Sequence, residues 1–86
     1  MDELTFDDVL DYFVEHRPDD PAVHHGALLA RRDPAFGVTC VQLFVDRRHR
    51  PCVSPTGHPY GRSVLAKRLS LELRQQLGGR ELIIFE

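Results

Sequence analysis

The spacing of apolar and polar side chains predicts a helix near the start of the chain. Apolar residues recur at helical intervals between residues 6 and 14, and acidic residues fall on the opposite side. Thr5 is a favourable N-cap, and Asp8 three residues later completes an acidic form of the capping box. Pro18 cannot continue a helix. We therefore predict a helix over residues 6–16.

The next segment, residues 21–32, supports two interpretations. Asp20 followed by a proline is a helix start signal, and a short apolar stripe comes after it. Gly26 lowers the stability of such a helix by about 1 kcal/mol relative to alanine. A strand over residues 27–31 is therefore the rival interpretation.

The second half of the chain contains strand patterns and one long helical pattern. Residues 38–46 are apolar or β-branched at nearly every position, which is typical of a central strand. A polar turn follows, and residues 51–54 can return as a short strand that starts at a proline. Leucines at four-residue intervals predict a helix over residues 63–77, closed by the glycines at 78 and 79. Residues 82–85 are apolar and predict a terminal strand.

These elements predict an α+β fold in the order α-α-β-β-α-β, with residues 1–86 as a single domain. We expect a three-stranded, mainly antiparallel sheet packed with helices. Strand 38–46 would lie in the middle, between strand 51–54 and the terminal strand. A right-handed parallel crossover from the second strand to the third is the alternative.

Composition narrows the class of protein. The 86 residues are 28% charged and 42% hydrophobic, which are ordinary values for a globular domain. No apolar run approaches the roughly 20 residues of a membrane-spanning helix, and the acidic N-terminus does not resemble a signal peptide. Two cysteines are too few for a disulfide scaffold. We expect a soluble cytoplasmic protein with reduced thiols and no membrane contact.

Charge is divided unevenly along the chain. Residues 1–22 hold eight acidic residues and one arginine, a net charge of −7, and residues 23–86 hold ten basic and five acidic residues, a net charge of +5. Such asymmetry bears on partners rather than on fold. The acidic candidates for binding a basic protein partner are Asp8, Asp11, Glu15, Asp19 and Asp20. A solvated outer face, or internal pairing with the arginines of the same chain, is the alternative.

The basic residues supply a second candidate surface. A polar turn at residues 47–50 carries three arginines, and a basic tip of this kind can contact phosphates. Lys67 and Arg74 would extend it, because they share one face of the predicted last helix. The complete set of candidates for binding an anion or nucleic acid is Arg47, Arg48, Arg50, Arg62, Lys67 and Arg74. We rank nucleic acid below a protein partner, because few aromatic residues accompany these cations.

Residues that could support catalysis or metal binding are present, but nothing in the sequence makes them converge. A nucleophile could come from Cys52 or Ser54, with His49 or His58 as the base. The spacing of cysteines and histidines does not match a zinc motif; those considered are His24, His25, Cys40, Cys52 and His58. We expect no enzymatic activity, no metal and no cofactor.

The function that these patterns favour is a small binding or regulatory module that acts through charged surfaces in protein–protein interaction. A nucleic-acid-binding domain that uses the basic turn is the alternative, and a small enzyme or metal-binding protein ranks third. The strand Glu81–Glu86 is apolar between its ends and uninterrupted, so it could also join two copies at a sheet edge.

Overall fold

Two α-helices and six strands make up the described part of the chain, residues 1–85, in a computed structural model. In chain order these elements are β1 (Glu3–Leu4), α1 (Phe6–Glu15), β2 (His25–Asp33), β3 (Gly37–Val45), β4 (Gly61–Ala66), β5 (Arg68–Leu69), α2 (Leu71–Leu77) and β6 (Leu82–Phe85).

Four of the strands form one antiparallel sheet in the order β4-β3-β2-β6. Strands β1 and β5 form a separate parallel pair, in which Leu4 lies opposite Leu69. Both of these leucines are buried in the cluster that joins the helices to the sheet. The molecule is therefore an α+β fold, and the helices and the parallel pair cover the same face of the sheet.

Strand β3 alternates between the two faces of the sheet. Val38, Cys40, Gln42 and Phe44 are buried, whereas the intervening positions from 39 to 43 are exposed or half-buried. Successive side chains of a strand point to opposite faces. The even-numbered residues therefore form the floor under the helices.

Helix α1 begins with the predicted cap. Thr5 Oγ1 accepts a hydrogen bond from the Asp8 amide at 3.1 Å, and Asp8 Oδ2 accepts one from the Thr5 amide at 3.2 Å. The helix then crosses β2 at Gly26, where an added Cβ would lie 2.7 Å from the ring of Phe13. Glycine at this position lets the helix approach the sheet closely.

Residues 21–32 do not form a helix, and the strand interpretation is the correct one. Strand β2 runs from His25 to Asp33 and pairs with β3 along all nine of its residues. Gly26, which weakens a helix, serves here as the contact point for α1. The element is longer than the predicted strand because its pairing with β3 continues to the turn.

The predicted helix over residues 63–77 is wrong in its first half. Residues 61–66 form β4, which pairs with β3, and α2 begins only after Ser70, whose Oγ accepts from the Leu73 amide at 3.2 Å. Pairing with a central strand outweighs the four-residue leucine repeat, and it leaves Leu65 52% exposed. The predicted glycine cap is confirmed, because Gly78 has a left-handed φ of 59°.

The predicted sheet had too few strands, and the strands predicted to lie beside β3 are not the ones that pair with it. Residues 51–54 lie in a loop that makes isolated bridges from Val45 to Pro51 and from Val53 to Pro59. The strands beside β3 are therefore β2 and β4. The terminal strand β6 pairs antiparallel with β2 and lies at a sheet edge, so both predicted placements of this strand are corrected.

Both helices are short. Helix α1 has ten residues and α2 has seven. Within residues 1–85, no helix has the length and apolar character needed to cross a membrane.

Because α2 begins after Ser70 and not at Ser63, replacing these two serines should affect stability differently. Ser70→Ala removes the hydroxyl that caps the helix, and we expect the free energy of unfolding to fall by about 1 kcal/mol. Ser63→Ala, at an exposed strand position, should change it by less than about 0.5 kcal/mol. Chemical denaturation of both variants measures the difference. A larger loss for Ser63→Ala would contradict this helix boundary.

Candidate functional site

The acidic residues of α1 remain on the surface. Asp11 and Glu15 are exposed, and neither takes part in any ion pair found among residues 1–85. Asp19 is also exposed, whereas Asp8 belongs to the capping box and Asp20 accepts a hydrogen bond from the Ala22 amide at 2.9 Å. Three of the five predicted acidic residues are therefore not engaged in holding local structure.

Within the acidic segment, residues 1–22, the residues that form ion pairs with basic side chains later in the chain are the first ones instead. Arg68 lies 3.3 Å from Asp2 and 3.3 Å from Glu3, and Lys67 lies 4.0 Å from Asp2. All four side chains are substantially exposed, so each pair contributes little to stability. These contacts join the N-terminus to the segment between β4 and α2.

The turn after β3 presents arginines as predicted, and Asp46 organises it. Asp46 Oδ1 accepts from the amides of Arg48 at 2.8 Å and Arg50 at 3.0 Å, and Oδ2 accepts from Arg50 Nε at 3.2 Å. The hydrogen bond from the Arg50 amide is the main reason that the pKa of Asp46 lies below its ordinary value. Arg47 and Arg48 are exposed, and no ion pair among residues 1–85 includes them.

Arg62 is turned away from this turn and into the layer beneath α1. Its Nε donates to Gln42 Oε1 at 2.7 Å, and Gln42 Nε2 donates to the Val9 carbonyl at 3.0 Å. The side chain of Gln42 is completely buried. A buried polar group of this kind is costly unless it is hydrogen-bonded, so Arg62 and the helix carbonyl stabilise the position of Gln42.

The aromatic ring of Tyr12 covers the same arginine. The guanidinium carbon of Arg62 lies 4.5 Å from the ring centroid, within range of a cation–π interaction. Burial raises the pKa of the Tyr12 phenol, and the positive charge of Arg62 opposes that increase in pKa. Arg62 is therefore a structural residue that connects α1 with β4.

Lys67 and Arg74 do not share a helix face, because Lys67 lies between β4 and β5 and Arg74 lies in α2. They nevertheless line one groove together with Arg32. The six predicted basic residues thus occupy three places, which are the turn after β3, the layer beneath α1 and this groove.

The catalytic candidates have local structural partners. Ser54 Oγ lies 2.9 Å from Thr56 Oγ1 and 3.3 Å from the His58 amide, so this contact with His58 does not use its imidazole. Cys40 and Cys52 are buried and free, and burial raises the pKa of both thiols. Among residues 1–85 there is no group of three or more histidine, cysteine or acidic side chains arranged to hold a metal ion.

A different surface stands out, which we term the open face: the side of the four-stranded sheet that faces away from both helices. Its apolar members include Leu29, Leu65 and Leu82, which are 40%, 52% and 46% exposed. Strand register places fifteen residues on it: His25, Ala27, Leu29, Arg31, Asp33, Gly37, Thr39, Val41, Leu43, Val45, Gly61, Ser63, Leu65, Leu82 and Ile84. Arg31 and Asp33 are the charged residues among these fifteen.

Neither the open face nor the role of Gln42 was predicted from the sequence. The signal for Gln42 was its even-numbered position between Cys40 and Phe44, on the side of β3 that lies under the helices. The signal for the open face was the apolar character of β3 on both sides. That character is typical of a central strand with both faces covered, whereas the helices cover one face of β3.

The buried link between α1 and the sheet can be measured by a double-mutant cycle. We expect Arg62→Met to lower the free energy of unfolding by about 1–3 kcal/mol, because it leaves Gln42 Oε1 buried without its partner. We expect the combination with Gln42→Leu to lose less than the sum of the two single losses. Arg48→Met is the control and should be nearly neutral. Simple additivity of Arg62 and Gln42 would contradict the link.

No protein-family model matches the chain, and neither a curated protein nor a solved structure matches it significantly. The basis for a functional proposal is therefore the placement of the chain's own side chains.

Proposed function

We propose that this chain is a protein-binding module that acts as a homodimer, with the open faces of two copies packed against each other. The observation that carries the proposal is the row of exposed leucines on a sheet face that no other element among residues 1–85 covers. The largest apolar patch on a protein surface measures about 300–600 Å² and often has a function.

The total solvent-accessible area of the chain is larger than expected for a compact monomer, which supports an unoccupied contact surface. The chain exposes 5903 Å², whereas a compact monomer of its mass exposes about 5,200 Å². Four strands across and about five residues along give the open face a projected area of roughly 300–400 Å². Two such faces give about 600–800 Å² in total, below the roughly 1,200 Å² at which standard interfaces begin, so we expect a weak dimer with a dissociation constant no tighter than about micromolar.

A second copy is the occupant that this surface fits best. The open face carries one basic and one acidic residue, Arg31 and Asp33, and therefore no net charge, so it offers no electrostatic complement to a strongly charged partner. An apolar and nearly flat surface can pack on an identical one about the two-fold axis that is commonest among oligomers. Two antiparallel sheets stack face to face at about 10 Å separation, as in a β-sandwich. The acidic residues of α1 would then point away from the contact.

The dimer contact is tested by Leu29→Lys. This substitution places a charge near the middle of the open face, and we expect the dimer to dissociate while the fold remains. The control is Val14→Lys, at a residue of α1 that is 79% exposed on the other side of the molecule. Sedimentation equilibrium of the unaltered chain and both variants measures the oligomeric state, and circular dichroism verifies folding.

The outcomes separate the modes of association. A chain that is monomeric at high micromolar concentration contradicts the proposal. A dimer that persists in the Leu29→Lys variant places the contact elsewhere, and backbone pairing along the free edge of β6 is then the leading mode.

The charged surface of α1 supplies the second part of the proposed function, the docking of a basic partner. Support comes from Asp11 and Glu15, which are exposed and take part in no ion pair found among residues 1–85. In a face-to-face dimer these residues would lie on the two outer layers. A partner could then contact the acidic residues of one α1 helix, or those of both α1 helices, in the dimer.

A lysine-rich peptide tests this docking surface. We expect the unaltered chain to bind it with an affinity that decreases with salt, and the variant Asp11→Lys to bind at least several-fold more weakly. Glu72→Lys, an exposed acidic position in α2, is the matched control. Fluorescence anisotropy at two salt concentrations measures both effects. An equal loss of peptide affinity with Glu72→Lys would show that net charge, rather than the acidic surface of α1, causes the weaker binding.

A further inference from the structure

A groove lies where the end of β2 meets α2 and the segment that follows α2. It has a volume of about 320 Å³, and its charged rim consists of Arg31, Arg32, Arg74, Arg80 and Glu81. Ala30, Val38, Leu69 and Leu77 supply its apolar floor. A second groove of about 350 Å³ shares Arg32 and Arg74 and continues toward Lys67 and Arg68.

The charges around the first groove are not balanced within the described chain. The side chains of three arginines, Arg32, Arg74 and Arg80, accompany a single acid, Glu81, which gives a local charge of +2, whereas strand register places the Arg31 side chain on the open face. No ion pair among residues 1–85 includes Arg31, Arg32 or Arg74. Like charges that converge on a cleft repel one another, and the same arrangement concentrates the field that attracts an anion.

Two of the arginines that line these grooves already have structural roles and therefore differ from the others. Arg80 Nε donates to the Leu77 carbonyl at 3.1 Å and Nη2 donates to the Gln76 carbonyl at 3.4 Å, so this side chain closes the end of α2. Arg68 is paired with the carboxylates of the N-terminal segment. Arg32 and Arg74, which border both grooves, have no such partner among residues 1–85 and are available to a ligand.

We propose that this groove binds a small organic phosphate, with the phosphate between Arg32 and Arg74 and an apolar body on the floor formed by Val38, Leu69 and Leu77. A guanidinium group presents a planar fork of donors that matches the oxygens of a phosphate. The volume and the apolar floor fit a small molecule rather than a bare ion.

Titration with three probes tests the proposal. Phenyl phosphate has both parts of the expected ligand, inorganic phosphate has only the anion, and phenol has only the ring. Isothermal titration calorimetry of the full chain should give saturable binding of phenyl phosphate, weaker binding of phosphate and no binding of phenol. Equal affinity for phosphate and phenyl phosphate would overturn the part of the proposal that concerns the apolar body.

Variants locate the site. We expect Arg32→Ala and Arg74→Ala each to lower the affinity for phenyl phosphate about tenfold, and Arg74→Lys to lie between, because lysine keeps the charge and loses the fork. Arg48→Ala, in the turn after β3, is the control and should bind as the unaltered chain does. Absence of phenyl phosphate binding, or an equal loss with Arg48→Ala, would overturn the proposal. Thermal unfolding of each variant verifies that its fold is intact.

Discussion

The arrangement of the molecule depends on β3 being hydrogen-bonded along both of its edges. Pairing with β2 and β4 holds its pleat in one register, so Cys40 and Gln42 point under the helices and Val41 points away. A slip of one residue would exchange these faces. Helix α1 is then positioned by contacts that need this register, among them Gln42 Nε2 on the Val9 carbonyl.

One consequence of this register is a sheet with unequal faces. The helices and the β1–β5 pair together cover the even-numbered side of β3, and only two helices, of ten and seven residues, are present among residues 1–85 to supply that cover. On the opposite side, apolar residues such as Leu29 and Val41 receive no covering layer from residues 1–85. Full burial of such a side chain stabilises by about 1.5–3 kcal/mol, which is a large share of the stability of a small domain. In the proposed dimer, association and folding would therefore be linked.

The sequence predicts the parts whose signals are local. The capping box at Thr5 and the glycine end of α2 are set by neighbouring residues, and both were predicted correctly. The β4 segment could not be predicted, because its leucine spacing fits a helix and its strand form depends on pairing with β3, about 25 residues earlier along the chain. The role of Gly26 is equally non-local, since it is defined by the ring of Phe13.

The arginines show why the charged sites were harder to predict than the helices. A sequence counts ten arginines but does not reveal which of them the fold uses. Arg62 satisfies a buried amide, Arg50 is held by Asp46, Arg68 neutralises the N-terminal carboxylates and Arg80 closes α2. A positive charge that already has a structural partner gains less from a ligand, because a new contact must replace an existing one. Recognition of an anion is therefore best sought where the fold gathers arginines and supplies no partner for them, and Arg32 and Arg74, in the groove between β2 and α2, meet that condition within the described chain.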